Sequence, residues 1–201
     1  MASIFALAKQ FVEMPIFEIE KLLQSDYYEA RMGAVSIMDF QARNKKTTAT
    51  RKKELFDLYI NCHERINNWD LVDRSAPYVV GGYLFDKPRN ILYKLAKSKN
   101  VWERRTAIVS TYFFIRQKDV SDTFKIAELL MHEEHDLVQK AVGSWVREAG
   151  KYDKLALVEF LDSFASLMPT TMLRYATEKL DKKEKATYLE TNRKKTKTNR
   201  A

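Results

Sequence analysis

The sequence predicts an all-α fold, a solenoid of stacked helix pairs (an α-α superhelix) with a basic concave face. Five glycines and four prolines in 201 residues are too few for the many tight turns of a sandwich or barrel. Hydrophobic residues make up 45% and charged residues 31%, the balance of a globular chain that folds in water. The third observation is a repeat. Five apolar segments, IEKLL (19–23), LFDLYI (55–60), ILYKLA (91–96), IAELLM (126–131) and LVEFLD (157–162), recur at a spacing of about 35 residues.

After four of these segments the chain turns and a second pattern begins, with a basic residue near its start. These residues are Arg31 in EARMGAVSIM, Arg105 in ERRTAIVSTYFF, Lys140 in QKAVGSWVRE and Arg174 in LRYATEKL. The missing middle register falls around Asn67 to Asp73. Apolar residues at three- and four-residue steps read as amphipathic helices. SDYY, DKPRN, KSKN, HEEHD and GKYDK punctuate them as short polar junctions. One helix pair cannot bury its own apolar face, so the pairs stack on a shared core. A basic residue once per unit then either follows a phosphate backbone or packs its stem on the next repeat and pairs with an acid. Both readings stay open on these residues alone. The length suits one domain over residues 1–190.

The segment 191–201 carries five of the eight net positive charges and no acid, which reads as a solvated, disordered basic tail. Cys62 is the only cysteine, so neither an intrachain disulfide nor a paired-thiolate metal site can form. A reduced cytoplasm is the expected compartment. The opening MASIFALAKQF lacks the basic start of a signal peptide, and no apolar run is long enough to span a bilayer. Membrane association is not expected.

In Asn67-Asn68-Trp69-Asp70-Leu71-Val72-Asp73, Trp69 and Asp73 are four apart and share a helix face. A carboxylate and an indole π face projecting together can stabilise a developing cation in a cleft that excludes water. The structural alternative buries Trp69 in the core and makes Asp70 or Asp73 a helix cap ahead of Pro77. In Trp102-Glu103-Arg104-Arg105 one guanidinium faces Glu103 or solvent, and the other turns to the concave wall. His132 and His135 lack the HExxH spacing and any third ligand, so no metal is expected. No P-loop, GxGxxG or GxSxG occurs, which leaves nucleotide binding and serine hydrolysis without support.

In their order and spacing, NNWDLVDRSAPYVVGGYL, NVWERRTAIVST, LVQKAVGSWVREAGK and MPTTMLRYATEKL closely resemble the AlkD-like DNA alkylation repair glycosylases, from about Ile19 to Leu189. The resemblance implies HEAT-like repeats and hydrolytic removal of cationic N3- and N7-alkylated purines from double-stranded DNA, in base excision repair, without metal or other cofactor. It implies a nucleoid-associated cytoplasmic protein, and a monomer is expected. By resemblance, Asp73 is the catalytic carboxylate, Trp69 contacts the deoxyribose of the lesion and Arg105 holds a nearby phosphate. Arg31, Lys140, Trp145, Arg147 and Arg174 complete the expected DNA-binding set.

Two departures stand out. The family's fourth motif has Gly followed directly by Trp, whereas this chain reads Gly143-Ser144-Trp145, so with Lys140 and Arg147 in register the second DNA-facing Trp falls on Ser144. Trp145 then sits about 100° around the helix. Family members also carry additional helices ahead of the matched segment, where this chain has about eighteen residues, so a weaker embrace of the duplex is expected. The competing function, of another class, is a non-catalytic HEAT-repeat module that binds DNA or a protein partner.

Overall fold

The five apolar segments become the first helices of five pairs, because each carries its apolar side chains at helical spacing and meets a polar junction within a few residues. The structure, a computed structural model, describes residues 2–198. Two compact units form, Met1–Arg89 and Asn90–Ala201. Repeats that touch only their neighbours allow such a partition.

The first unit contains α1 (Ala2–Gln10), α2 (Ile16–Leu23), α3 (Tyr28–Arg43), α4 (Ala49–Asn61), α5 (Trp69–Ala76) and α6 (Gly82–Leu84). A one-turn 3₁₀ segment (His63–Arg65) precedes α5, and a π-helical segment (Pro77–Gly81) joins α5 to α6. The first helices α2 and α4 pack on each other, as do the second helices α3 and α5, and α1 lies against α3. The second unit contains α7 (Asn90–Ala96), α8 (Val101–Arg116), α9 (Ser121–Leu129), α10 (Asp136–Gly150), α11 (Lys154–Phe164), α12 (Thr170–Ala176) and α13 (Lys182–Thr198). Here α7 meets α9, and α8, α10 and α12 stack in sequence. The described residues contain no strand. This is the all-α helical-repeat class that the sequence indicates, and the missing middle register is α5.

Side-chain caps set several helix starts. Thr48 Oγ1 accepts from the Arg51 amide at 3.1 Å, Asn100 Oδ1 from the Trp102 amide at 2.9 Å, and Asp153 Oδ1 from the Ala156 amide at 2.9 Å. Each satisfies an amide that a first turn leaves without an intrahelical partner.

The row of basic residues splits into two registers. Arg31 is the fourth residue of its helix, whereas Arg105, Lys140 and Arg174 are fifth in theirs, as is Asp73 in α5. The true companions of Arg31 are Arg104 and Gln139. Arg31 Nη1 donates to the Ser25 and Asp26 carbonyls at 2.9 and 3.0 Å, and Arg104 Nη1 to those of Ser98 and Lys99 at 3.0 Å each. Gln139 Nε2 donates to Glu133 and Glu134 carbonyls at 2.8 and 3.3 Å. Each side chain reaches six and five residues back, clamping the carbonyls at the junction that a helix end leaves unsatisfied. At Arg31 and Arg104 the basic residue is thus a turn clamp, because adjacent positions on a helix point about 100° apart.

Arg104 also forms a two-pronged pair with Glu133, Nε to Oε2 at 2.5 Å and Nη2 to Oε1 at 3.0 Å, while the His135 amide donates to Oε1 at 2.9 Å. Burial pushes the Glu133 carboxyl up, but the Arg104 and His135 hydrogen bonds prevail and hold it below the ordinary glutamate range. A carboxyl depressed by folding stabilises the fold above its unfolded pKa, and that contribution is lost as pH falls through the folded value. Stability should therefore drop on acidification below about pH 4.3. Glu133→Gln should flatten that slope in urea titrations and cost about 1.5 kcal/mol at neutral pH.

Of the segment expected to be a basic tail, Thr191–Thr198 is the last part of α13, while residues 199–201 lie outside the described residues. The anchor is Asn192, only 4% exposed, whose Nδ2 donates to the Ala165 and Met168 carbonyls at 2.8 Å each. No described helix is long and apolar enough to cross a membrane.

Candidate functional site

Helix α5 starts where Asn68 turns the chain from an extended conformation and its Oδ1 accepts the Trp69 amide at 2.8 Å. The cap is therefore Asn68, and neither Asp70 nor Asp73 serves that purpose. Leu71, Val72, Ser75 and Ala76 form the buried stripe of the helix. That leaves Trp69, 45% exposed, and Asp73, partly exposed, one turn apart on another side. Trp69 is thus not a core residue.

At the other end of α5, Pro77 has no N–H to complete the usual bond to the Asp73 carbonyl four residues back. The helix widens over Pro77–Gly81, and the Gly82 amide bonds the Pro77 carbonyl at π spacing. Such a widened turn absorbs the proline without breaking the rod and is a frequent neighbour of functional residues. The carboxylate therefore sits immediately before a local change in helix geometry.

Asp70 is occupied elsewhere. Its Oδ2 accepts the Tyr28 hydroxyl from the start of α3, and its Oδ1 accepts the Leu71 amide at 2.9 Å. Burial, then the hydrogen bond to Asp70, pushes the Tyr28 phenol well above its ordinary range, so it remains a donor at neutral pH. The two carboxylates of the WDLVD segment thus occupy different positions: Asp70 ties α5 to α3, and Asp73 lies one helical turn along α5 from the exposed Trp69.

Behind α5, Arg74 is gripped by the rest of its unit. Its Nη1 lies 3.2 Å from Asp39 Oδ2, its Nε donates to Ser36 Oγ at 3.3 Å, and its guanidinium carbon stands 4.7 Å from the Phe5 ring centre and 4.6 Å from that of Phe40. Arg43 Nε holds both oxygens of the fully buried Asp39 at 2.8 and 2.9 Å. Burial raises the Asp39 carboxyl and lowers the Arg74 guanidinium, each against the pull of its partner. Such a network contributes little net stability but fixes orientation. The sequence did not mark Tyr28, Asp39 or Arg74, because their partners lie on helices that only folding brings together.

In the second unit the expected DNA-facing residues occupy dissimilar settings. Arg105 is 6% exposed, and its Nη1 donates to the Leu137 carbonyl in the first turn of α10. Arg104, its neighbour, pairs with Glu133 as described, not with Glu103. Lys140 Nζ sits 2.5 Å from Asp136 Oδ2, one turn earlier on α10. Arg147 pairs with Glu178 through Nη1 and with Glu148 Oε1 through Nε and Nη2 at 3.2 and 3.1 Å. Arg174 is exposed on α12. Trp145 packs against Tyr112 of α8 with ring centres 4.9 Å apart, and its Nε1 is buried with no hydrogen-bond partner among the described residues. Ser144 is partly exposed. His135 packs edge-on against Trp102 at 5.7 Å.

None of the curated proteins compared with the chain matches it. Residues 1–180, by contrast, match the family described as DNA alkylation repair enzyme, and the matched stretch includes α1 as well as every helix pair. With the helical repeats and the paired Trp69 and Asp73 in view, the chain belongs to the DNA alkylation repair enzyme family.

Proposed function

We propose that this protein is a DNA glycosylase that removes cationic N3- and N7-alkylated purines from duplex DNA, the first step of base excision repair. The observation that carries the proposal is the pairing of an exposed Trp69 with a partly exposed Asp73 one turn along α5, while the neighbouring Asp70 is engaged by Tyr28.

The chemistry asks little of the protein beyond charge placement. An alkylated purine already carries a positive charge, so the C1′–N bond breaks with its electron pair going to the base, which departs neutral. The positive charge moves to the sugar, water adds to C1′, and the added water loses a proton. A carboxylate placed beside that sugar stabilises the transition state more than the ground state, because the charge arrives there only as the bond breaks. In this reading Asp73 supplies that charge and orients the water, and the Trp69 π face borders the cationic deoxyribose. Preorganisation comes from Arg74 and Asp39 behind α5 and from Asp70 and Tyr28 beside it. Neither step calls for a metal or redox partner from this chain.

Duplex contact is assigned to the same proposal, with graded roles. Arg174 and Lys140 contact phosphates, Lys140 by exchanging its exposed Asp136 partner. Arg31, Arg105 and Arg147 hold junctions and neighbouring helices in place, and Trp145 fills the seam between α8 and α10.

The test is release of free base from alkylated duplex by purified protein, run at low and moderate salt. Release of 7-methylguanine or 3-methyladenine is expected. Salt-sensitive duplex binding with no base release at any enzyme concentration would instead establish a non-catalytic binding module.

A further inference from the structure

The last helix is held to the fold more firmly than a solubility extension requires. In the junctions before α3, α8 and α10 a residue of the second helix clamps the carbonyls five and six positions back. Before α12 the equivalent position is Leu173, which has no side-chain donor. Asn192, from the C-terminal half of α13, takes over by donating to the Met168 carbonyl, five positions before Leu173, and to that of Ala165. Thr170 Oγ1, at the start of α12, lies 3.4 Å from Asn192 Oδ1. Tyr188 donates to Asp162 at 2.8 Å and Lys154 pairs with Glu184 at 3.0 Å, so α13 is tied to α11 at two further points.

Immediately after this anchor the sequence runs Arg193-Lys194-Lys195-Thr196-Lys197-Thr198-Asn199-Arg200-Ala201, five cations and no acid. Arg193 and Lys197 are spaced i, i+4 on a helix, where like charges destabilise it. The helix dipole favours a cation in the last turn by about 0.3–1 kcal/mol, which can offset one such residue but not a run of them. Arg193 is exposed. A dense run of positive charge that follows directly on a buried anchor, and that contains no acid, suits an extended polyanion.

We propose that the C-terminal end of α13 is a second duplex-binding element, contacting backbone phosphates outside the lesion site and adding affinity without taking part in base release. This rests on duplex DNA being the partner of the Trp69 and Asp73 site. Its chemistry is sequence-independent phosphate neutralisation, and its signature is salt dependence.

The experiment measures binding of a short undamaged duplex oligonucleotide between about 50 and about 200 mM salt. It compares the full chain, a variant with Arg193, Lys194, Lys195 and Lys197 all changed to Gln, and a chain ending at Asn192. In the Gln variant, four fewer phosphate contacts should flatten the slope of log K on log salt by about 3.6. Both altered chains should bind more weakly, most markedly at low salt, while single-turnover base release at saturating enzyme stays at the rate of the full chain. Asn192→Ala keeps every charge but loses the anchor, and should weaken binding several-fold with the slope retained.

An unchanged affinity and slope in the Gln variant and the shortened chain would overturn the proposal. Unchanged binding in Asn192→Ala would overturn the claim that fixed placement matters. Tighter binding of the full chain to anionic phosphatidylserine vesicles than to the duplex would overturn the assignment to DNA. Loss of base release at saturation in the shortened chain would place the segment in the chemistry and defeat the division of labour. Absence of base release by every form would count against the glycosylase reading while leaving the binding comparison intact.

Discussion

Asp73→Asn should lower base release from alkylated duplex by about a hundredfold or more under single-turnover conditions, a loss of roughly 3 kcal/mol of transition-state stabilisation. The amide has the shape of the carboxylate and keeps the α5 surface intact, so only the charge beside the sugar is removed. Duplex affinity should be unchanged or slightly stronger, since a negative charge leaves a polyanion-binding surface. The informative control is Asp70→Asn in the same WDLVD segment. That carboxylate accepts from the Tyr28 hydroxyl and the Leu71 amide, so its loss should act on helix α5 and its stability and leave excision within a few-fold. Equal losses for the two variants would mean that Asp73 has no special position. An Asp73→Asn protein as active as the original would remove the chemical basis of the proposed function.

Gly143→Ala should destabilise the protein by about 3 kcal/mol, which for a chain of this size lowers the melting temperature by roughly 6–10 °C. A Cβ at this position would stand 2.4 Å from the Met172 carbonyl oxygen, 2.6 Å from Tyr175 Cβ and 3.1 Å from the Ala176 amide nitrogen. The contacts are backbone and Cβ atoms of α12, so no side-chain rotation relieves them. The helices α10 and α12 would have to move apart along a closely packed seam. Gly33 on α3 is the matched control: a Cβ there meets nothing within 4 Å, and Gly33→Ala should be neutral or stabilising through helix propensity. Thermal unfolding of the two variants side by side checks the pair. Equal melting temperatures would show that the α10–α12 seam tolerates expansion.

Gly143 also gives the family motif a physical reading. Glycine is needed where α10 presses on α12, and the residues after it are carried around the helix at about 100° per step. With Ser144 in the position after Gly143, Trp145 points about 100° away from the direction that a tryptophan at position 144 would take. It ends on Tyr112, in the seam with α8. The displaced aromatic has become a packing residue, and its buried Nε1 is the residual cost.

By itself, the sequence determined whatever depends on local pattern. The 35-residue recurrence of apolar segments fixed the helix pairs, because amphipathic spacing and polar junctions act over a few residues. The four-residue step from Trp69 to Asp73 put the indole and carboxylate on one helix face for the same reason. Only the tertiary structure decided which cations are committed within the fold. Arg31 and Arg104 reach back to carbonyls of the preceding junction, Arg105 is buried against the Leu137 carbonyl, and Arg147 meets an acid 31 residues away. A basic residue looks the same in the sequence whether it faces solvent or ends a helix, and one position of register, 100° of rotation, separates those outcomes. The same limit hid the last helix. From Thr191 onward the polar, basic composition reads as solvated chain, yet Asn192 within it supplies hydrogen bonds to two carbonyls at a junction more than twenty residues earlier. That partnership exists only once α11, α12 and α13 have packed together.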